Sequence, residues 1–237
     1  MARHSLFGFT FLVLACPLAT SAADPVFSGP QVGEKLPSFK AKGVFGDQAG
    51  QEIDVVKQAA GKPVMLIFFH ARTRPAFGLM NTMMKYAAGK RKDKISTAVV
   101  FLTDDYTGTE KWVRAVKKHL AEGVTHVIST EGKEGPGSYG LNRNVSLTIL
   151  VADKGKVTAN FALVQPSLPA DGPKVLKAIV DVTGGGKVPS IADIAGPRYK
   201  AKTPRRKQPA RGQNDPKLTG MLRSVINKQA SEVDVKQ

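Results

Sequence analysis

One run in this chain, Val64-Met65-Leu66-Ile67-Phe68-Phe69, is apolar at every position. A strand without a polar face is covered on both sides, as the middle of a parallel sheet requires, so the run predicts a buried strand over 64–69. A second such strand is predicted at Ser96-Thr97-Ala98-Val99-Val100-Phe101-Leu102. Between them the spacing changes to that of a helix. Pro75 suits a first helical turn. Phe77, Met80, Met83, Met84 and Ala87 then recur on one face up to the basic stop Lys90-Arg91-Lys92. Trp112, Val113, Val116 and Leu120 share a face opposite Lys111, Lys117 and Lys118, which predicts an amphipathic helix over 109–122. Val175, Leu176, Ile179 and Val180 predict another over 170–182, ended by Gly184-Gly185-Gly186.

Shorter elements fill the intervals. A strand is predicted near 39–44, a polar turn over 46–50, a short helix over 54–58 and a strand over 124–129. The Gly-rich stretch 131–140 reads as a loop. Ser146 to Ala152 and Lys156 to Val164 form an antiparallel hairpin around the turn Asp153-Lys154-Gly155. No internal repeat is visible. This alternation over 30–186 is that of an α/β domain.

Both ends have a different character. Arg3 and His4, an apolar run from Leu6 to Ala15 and the small residues Ala19-Thr20-Ser21-Ala22-Ala23 follow the order of a signal peptide over 1–23, cleaved after Ala22 or Ala23. The run is too short to span a bilayer, which takes about 20 residues. The alternative is a lipoprotein in which Val13-Leu14-Ala15-Cys16 is a lipobox and Cys16 carries the lipid. Either reading predicts an exported protein, periplasmic or extracellular. Beyond the domain, 187–216 reads as a basic disordered linker: Pro197 to Gly212 holds seven basic residues, three prolines and no acid. Leu218, Met221, Leu222, Val225 and Ile226 then predict a short amphipathic helix within 217–237.

Charge sharpens this picture. The formal net charge is +16, and residues 197–237, with 11 basic and 3 acidic side chains, supply +8 of it. In an exported protein such a tail suits anionic lipids, cell-wall polymers or an acidic protein partner rather than nucleic acid. Solubility alone is the competing explanation. A membrane tether requires lipidation of Cys16. About 215 residues remain after signal removal, enough for a core that needs no disulfide.

The order of elements resembles the thioredoxin-like superfamily, and the opening Val32-Gly33-Glu34-Lys35-Leu36-Pro37-Ser38-Phe39 resembles its redoxin and peroxiredoxin branch. Gly61-Lys62-Pro63 before the central strand, Tyr139-Gly140-Leu141, and Thr148-Ile149-Leu150-Val151-Ala152-Asp153 match in order and spacing. The resemblance covers about residues 30–183 and implies a thioredoxin-like fold, a central mixed sheet flanked by helices. In redox-active relatives a Trp-Cys-Pro-Pro-Cys-like sequence follows the central strand, its first cysteine held as thiolate by a helix N-terminus. Laid on this chain, the motif falls on Arg72, Thr73, Arg74, Pro75 and Ala76, with Thr73 and Ala76 at the two cysteine positions. The family's cis-proline position falls at or beside Ser146, so a trans peptide is expected there. Cys16 is the sole cysteine. A threonine hydroxyl does not replace a thiolate without a dedicated base.

Other chemistry is sparse. His70 is a candidate ligand contact at the end of the central strand. With Met80, Met83 and Met84 it forms a set of Cu(I)-type donors, but methionines on a buried helix face are ordinary core filling. Asp104 and Asp105 read as solvated strand-end carboxylates. His119 and His126 lack metal-site spacing, and neither a metal nor a cofactor is expected. Arg72 and Arg74 make the loop positive and suit a carboxylate or phosphate. The expectation is an exported domain that binds, without thiol-disulfide or peroxidase chemistry. The alternatives are a non-thiol enzyme built on His70, Thr73 and Arg72, or a substrate-binding accessory to a redox-active partner.

Overall fold

The computed structural model describes residues 26–91 and 93–195. The signal-like segment, Cys16, the basic stretch 197–212 and the helix expected near 218–226 lie outside the described residues. Among the described residues seven strands form one mixed sheet: β1 (Lys40–Gly43), β2 (Glu52–Asp54), β3 (Val64–Phe69), β4 (Ser96–Phe101), β5 (Thr125–Ile128), β6 (Leu147–Asp153) and β7 (Lys156–Leu163). Their spatial order is β2-β1-β5-β4-β3-β6-β7. β3, β4 and β5 run parallel; β6 pairs antiparallel with β3 and β1 with β5, and the edge strands β7 and β2 pair antiparallel with β6 and β1. Five α-helices within the described residues accompany them: α1 (Val55–Gln58), α2 (Arg74–Lys90), α3 (Tyr106–Ala115), α4 (Leu168–Val182) and α5 (Ile191–Ile194).

The continuous apolar runs are explained by two cores, one on each face of the sheet. Along β3, Met65, Ile67 and Phe69 face a core built with Leu79, Met80, Met83 and Met84 of α2, Val113 of α3, and Val175, Leu176 and Ile179 of α4. Val64, Leu66 and Phe68 face the other, with Leu36, Phe39, Val55 and Tyr139. The ring of Tyr139 meets Phe68 at 5.0 Å and Phe39 at 5.1 Å, and its hydroxyl donates to the Pro37 carbonyl at 2.7 Å. The three α2 methionines are thus core side chains, each fully buried.

Four local differences from the expected elements have physical causes. β2 is an edge strand of three residues, two of them acidic, held by its pairing with β1 and by Ile53 against the core, and it is too short for hydrophobic alternation to announce it. α3 stops at Ala115 rather than 122, and Lys117–His119 tighten into a 3-10 turn. This lets Leu120 leave the helix and become buried. α4 starts two residues early because Ser167 caps it, accepting from the Ala170 N–H at 3.4 Å. The segment expected as linker from 187 includes α5, a single turn closed by a Ser190–Asp193 capping box. Its Ile191 packs where a Cβ on Gly172 would stand 2.5 Å from Ile191 Cδ1. Among the described residues no helix is long and apolar enough to cross a membrane.

Candidate functional site

β3 ends at Phe69 and the chain turns through His70, Ala71 and Arg72 into α2. Thr73 is the N-cap, with extended backbone and a hydroxyl that accepts from the Ala76 N–H at 3.3 Å. Pro75 lies in the first turn, where a missing N–H costs nothing. Arg72, Thr73, Arg74 and Pro75 are exposed, while Ala76 is fully buried. Ser146 stands beside this loop. Its carbonyl accepts from the N–H groups of His70 at 3.2 Å and Ala71 at 3.3 Å, and its hydroxyl donates to the Val164 carbonyl at 2.7 Å. The described residues contain no cis peptide bond. Ser146 lies 76 positions along the chain from His70, and the β3–β6 pairing brings them together.

The His70 ring points inward. Its Nε2 lies 2.9 Å from the Thr148 hydroxyl, which lies 2.7 Å from the Ser28 hydroxyl; Ser28 in turn accepts from the Asn142 N–H at 3.0 Å. The other ring nitrogen, Nδ1, is buried without a partner. Burial pushes the imidazole down to about 4, so it is neutral at pH 7. Because Nε2 is engaged with Thr148, His70 and Thr73 do not form a nucleophile–base hydrogen bond through that atom. The sequence reading identified His70 but not Thr148 or Ser28. Thr148 was hidden as one polar position in an otherwise apolar strand, a signal that could have marked it.

Arg72 is the positioned cation of the site. Its guanidinium donates to the Thr109 hydroxyl and lies 5.1 Å from the centre of the Trp112 ring. Trp112 is in turn stacked on Phe69, 5.9 Å away and 9° from parallel. Arg72 lies on the wall of two clefts. One, of about 440 Å³, opens between the C-terminal ends of β3 and β4 and is lined by His70, Arg72, Thr103, Asp104, Thr109 and Lys133. The other, of about 290 Å³, is lined by Arg72, Thr73, Phe77, Trp112 and His119. Asp104 accepts from the Lys133 N–H at 3.0 Å and pairs with its ammonium at 3.3 Å. That N–H holds the carboxyl below the usual range. Asp105 caps α3 by accepting from Gly108 N–H at 2.9 Å. Both carboxylates therefore have local structural partners. Among the described residues no group of three or more His, Cys, Asp or Glu is placed to hold a metal ion.

The arrangement suits recognition. It offers a stacked guanidinium with donors left over, a neutral imidazole and two small clefts, and it sets no base against the Thr73 hydroxyl. Residues 26–195 contain no cysteine.

No protein-family model and no curated protein matches the sequence. Solved structures do. A protein designated thiol:disulfide interchange protein DsbE from Chlorobium tepidum aligns at 22% identity and a TM-score of 0.52, over 65% of this chain and 99% of that one. Peroxidoxin BcpB from Mycobacterium tuberculosis aligns at 16% identity and a TM-score of 0.46, over 63% of this chain and 96% of that one. With its mixed sheet, helical flanks and the likeness to the first of these structures, the chain has a thioredoxin-like fold, in a domain without cysteine.

Proposed function

We propose that the protein is an exported thioredoxin-like module of the cell envelope that binds without redox chemistry, with Arg72, Thr73, Arg74, Pro75, Ala76 and Ser146 as its degenerate active-site positions. The observation that carries this reading is the state of Thr73. Its hydroxyl is spent on capping α2, accepting from Ala76 N–H, and the neighbouring His70 Nε2 is bonded to Thr148 instead. A hydroxyl without a base is a poor nucleophile, whereas the same helix start with its flanking arginines remains suited to a carboxylate or phosphate. The tail, +8 over residues 197–237, adds attraction to anionic envelope surfaces or an acidic partner.

The test has three arms. In a dithiothreitol-driven insulin reduction assay the full chain is expected to match the buffer control, and a rate above that control overturns the redox-inert reading. In co-sedimentation, phosphatidylglycerol vesicles are expected to retain the protein in a salt-sensitive manner and phosphatidylcholine vesicles are not. Equal retention would remove the electrostatic role of the tail. Intact mass of the exported protein reports the leader: a start at Ala23 or Asp24 fits cleavage, and a lipid on Cys16 makes it a lipoprotein.

A further inference from the structure

At the opposite end of the sheet from His70, a cleft of about 700 Å³ opens beside the N-terminal end of β5. Its size is that of small-molecule sites. The 3-10 turn after α3 forms one wall, and Phe45, from the β1–β2 connection, forms the other. Leu120, Ala121 and Val124 supply apolar lining. The floor carries an unexpected polar group. His126 alternates with Val127 along β5, so its ring enters the helix-covered side of the sheet, where it meets the edge of Phe45 at 5.5 Å. The residue is only 6% exposed, and its Nε2 has no hydrogen-bond partner. Buried polar atoms without partners are rare, and a ligand is one way to complete them.

The rim carries the opposite kind of chemistry. Lys117, Lys118 and Arg114 line it against one acid, Glu122. Arg114 is already paired with Glu110 at 2.7 Å, while neither lysine has a carboxylate partner among the described residues. The Lys117 ammonium sits 5.6 Å from the centre of the Phe45 ring, directly over the apolar wall. From rim to floor the cleft therefore has cations, then apolar and aromatic surface, then the His126 ring with its unpaired Nε2 buried behind the lining.

We propose that this cleft binds a small hydroxylated organic acid, with its carboxylate at Lys117 and Lys118, its apolar body against Phe45, Leu120 and Val124, and its hydroxyl on His126 Nε2. This site is separate from the Arg72 loop, and the proposal stands whether or not the protein proves redox-inert.

The experiment is calorimetric titration of the full chain with 4-hydroxybenzoate, benzoate and tyramine. Saturable binding of 4-hydroxybenzoate is expected, with benzoate at least tenfold weaker and tyramine, whose charge is reversed, without measurable binding. Lys117→Glu combined with Lys118→Glu, both on the surface, should weaken 4-hydroxybenzoate at least tenfold. Ala121→Trp should close the cleft and abolish binding with the charges intact. His126→Phe should erase the preference for the hydroxylated acid. No saturable binding of either acid at millimolar concentration overturns the proposal, as does unchanged affinity in both the lysine and Ala121→Trp variants. Equal affinity for the two acids overturns the role given to His126.

Discussion

Acidification from pH 7 to pH 5 should destabilise this domain through two buried histidines. Burial pushes both His70 and His126 down to about 4 from an ordinary value of 6.5. A backbone hydrogen bond with Val124 partly offsets the effect at His126. The unfolded chain therefore binds more protons than the folded one between about pH 6.5 and pH 4, and stability must fall as pH falls through that window. For a site with these two values the loss between pH 7 and pH 5 is about 2 kcal/mol, or about 4 kcal/mol for the pair before any discount for the solvent access of His70. Against a typical domain stability of about 5–15 kcal/mol that is a large fraction. Asp54, Asp104 and Asp193 have folded values lowered by hydrogen bonds, so their contribution is present above the ordinary carboxylate range and is lost only at lower pH. The two windows are separable. Urea unfolding of the full chain at pH 7, 6 and 5, followed through the sole tryptophan, Trp112, measures the effect directly. The double variant His70→Gln with His126→Phe should flatten the dependence. An unchanged slope in that variant, or a gain in stability on acidification, would refute the reasoning.

Three further outcomes follow from named contacts. Thr73→Cys, made with Cys16→Ser, places a thiol at the α2 N-cap between Arg72 and Arg74; its alkylation should titrate below about 8.5, and a value at or above that shows the helix start exerts no such field. Gly43→Ala should cost about 3 kcal/mol in chemical denaturation, because the added Cβ would lie 2.2 Å from the Gln48 carbonyl oxygen, a backbone atom that cannot swing aside. A wild-type midpoint would contradict that clash. Arg72→Ala removes the cation above Trp112 and should shift the emission of that residue with little change in unfolding midpoint, since Arg72 is exposed; an unchanged spectrum would mean the stacking is not maintained in solution.

Much of the architecture was legible in the chain because burial leaves a residue-by-residue signature. The fully apolar 64–69 run reads as a strand covered on both faces, and the methionines of α2 recur at the spacing of a core-facing helix. Thr73 followed by Pro75 announced a helix start, and the absence of cysteine between residues 26 and 195 removed thiol chemistry from that position without any coordinates. What depends on distant residues was not legible. β2 depends on its pairing with β1, and α3 ends early where the chain tightens and Leu120 enters the core. The Ser146 carbonyl meets His70 and Ala71 through the β3–β6 register, and Ser28 reaches Thr148 across 120 positions of chain. The isolated histidine of β5 carried no metal-like spacing, yet folding buries its ring, leaves Nε2 unpaired and sets Lys117 and Lys118 above it. Local pattern thus decided which segments become strands and helices, since that depends on which faces a segment can bury. The clefts and their polar contacts were decided by tertiary packing, since they join side chains that only the closed sheet brings within hydrogen-bond reach.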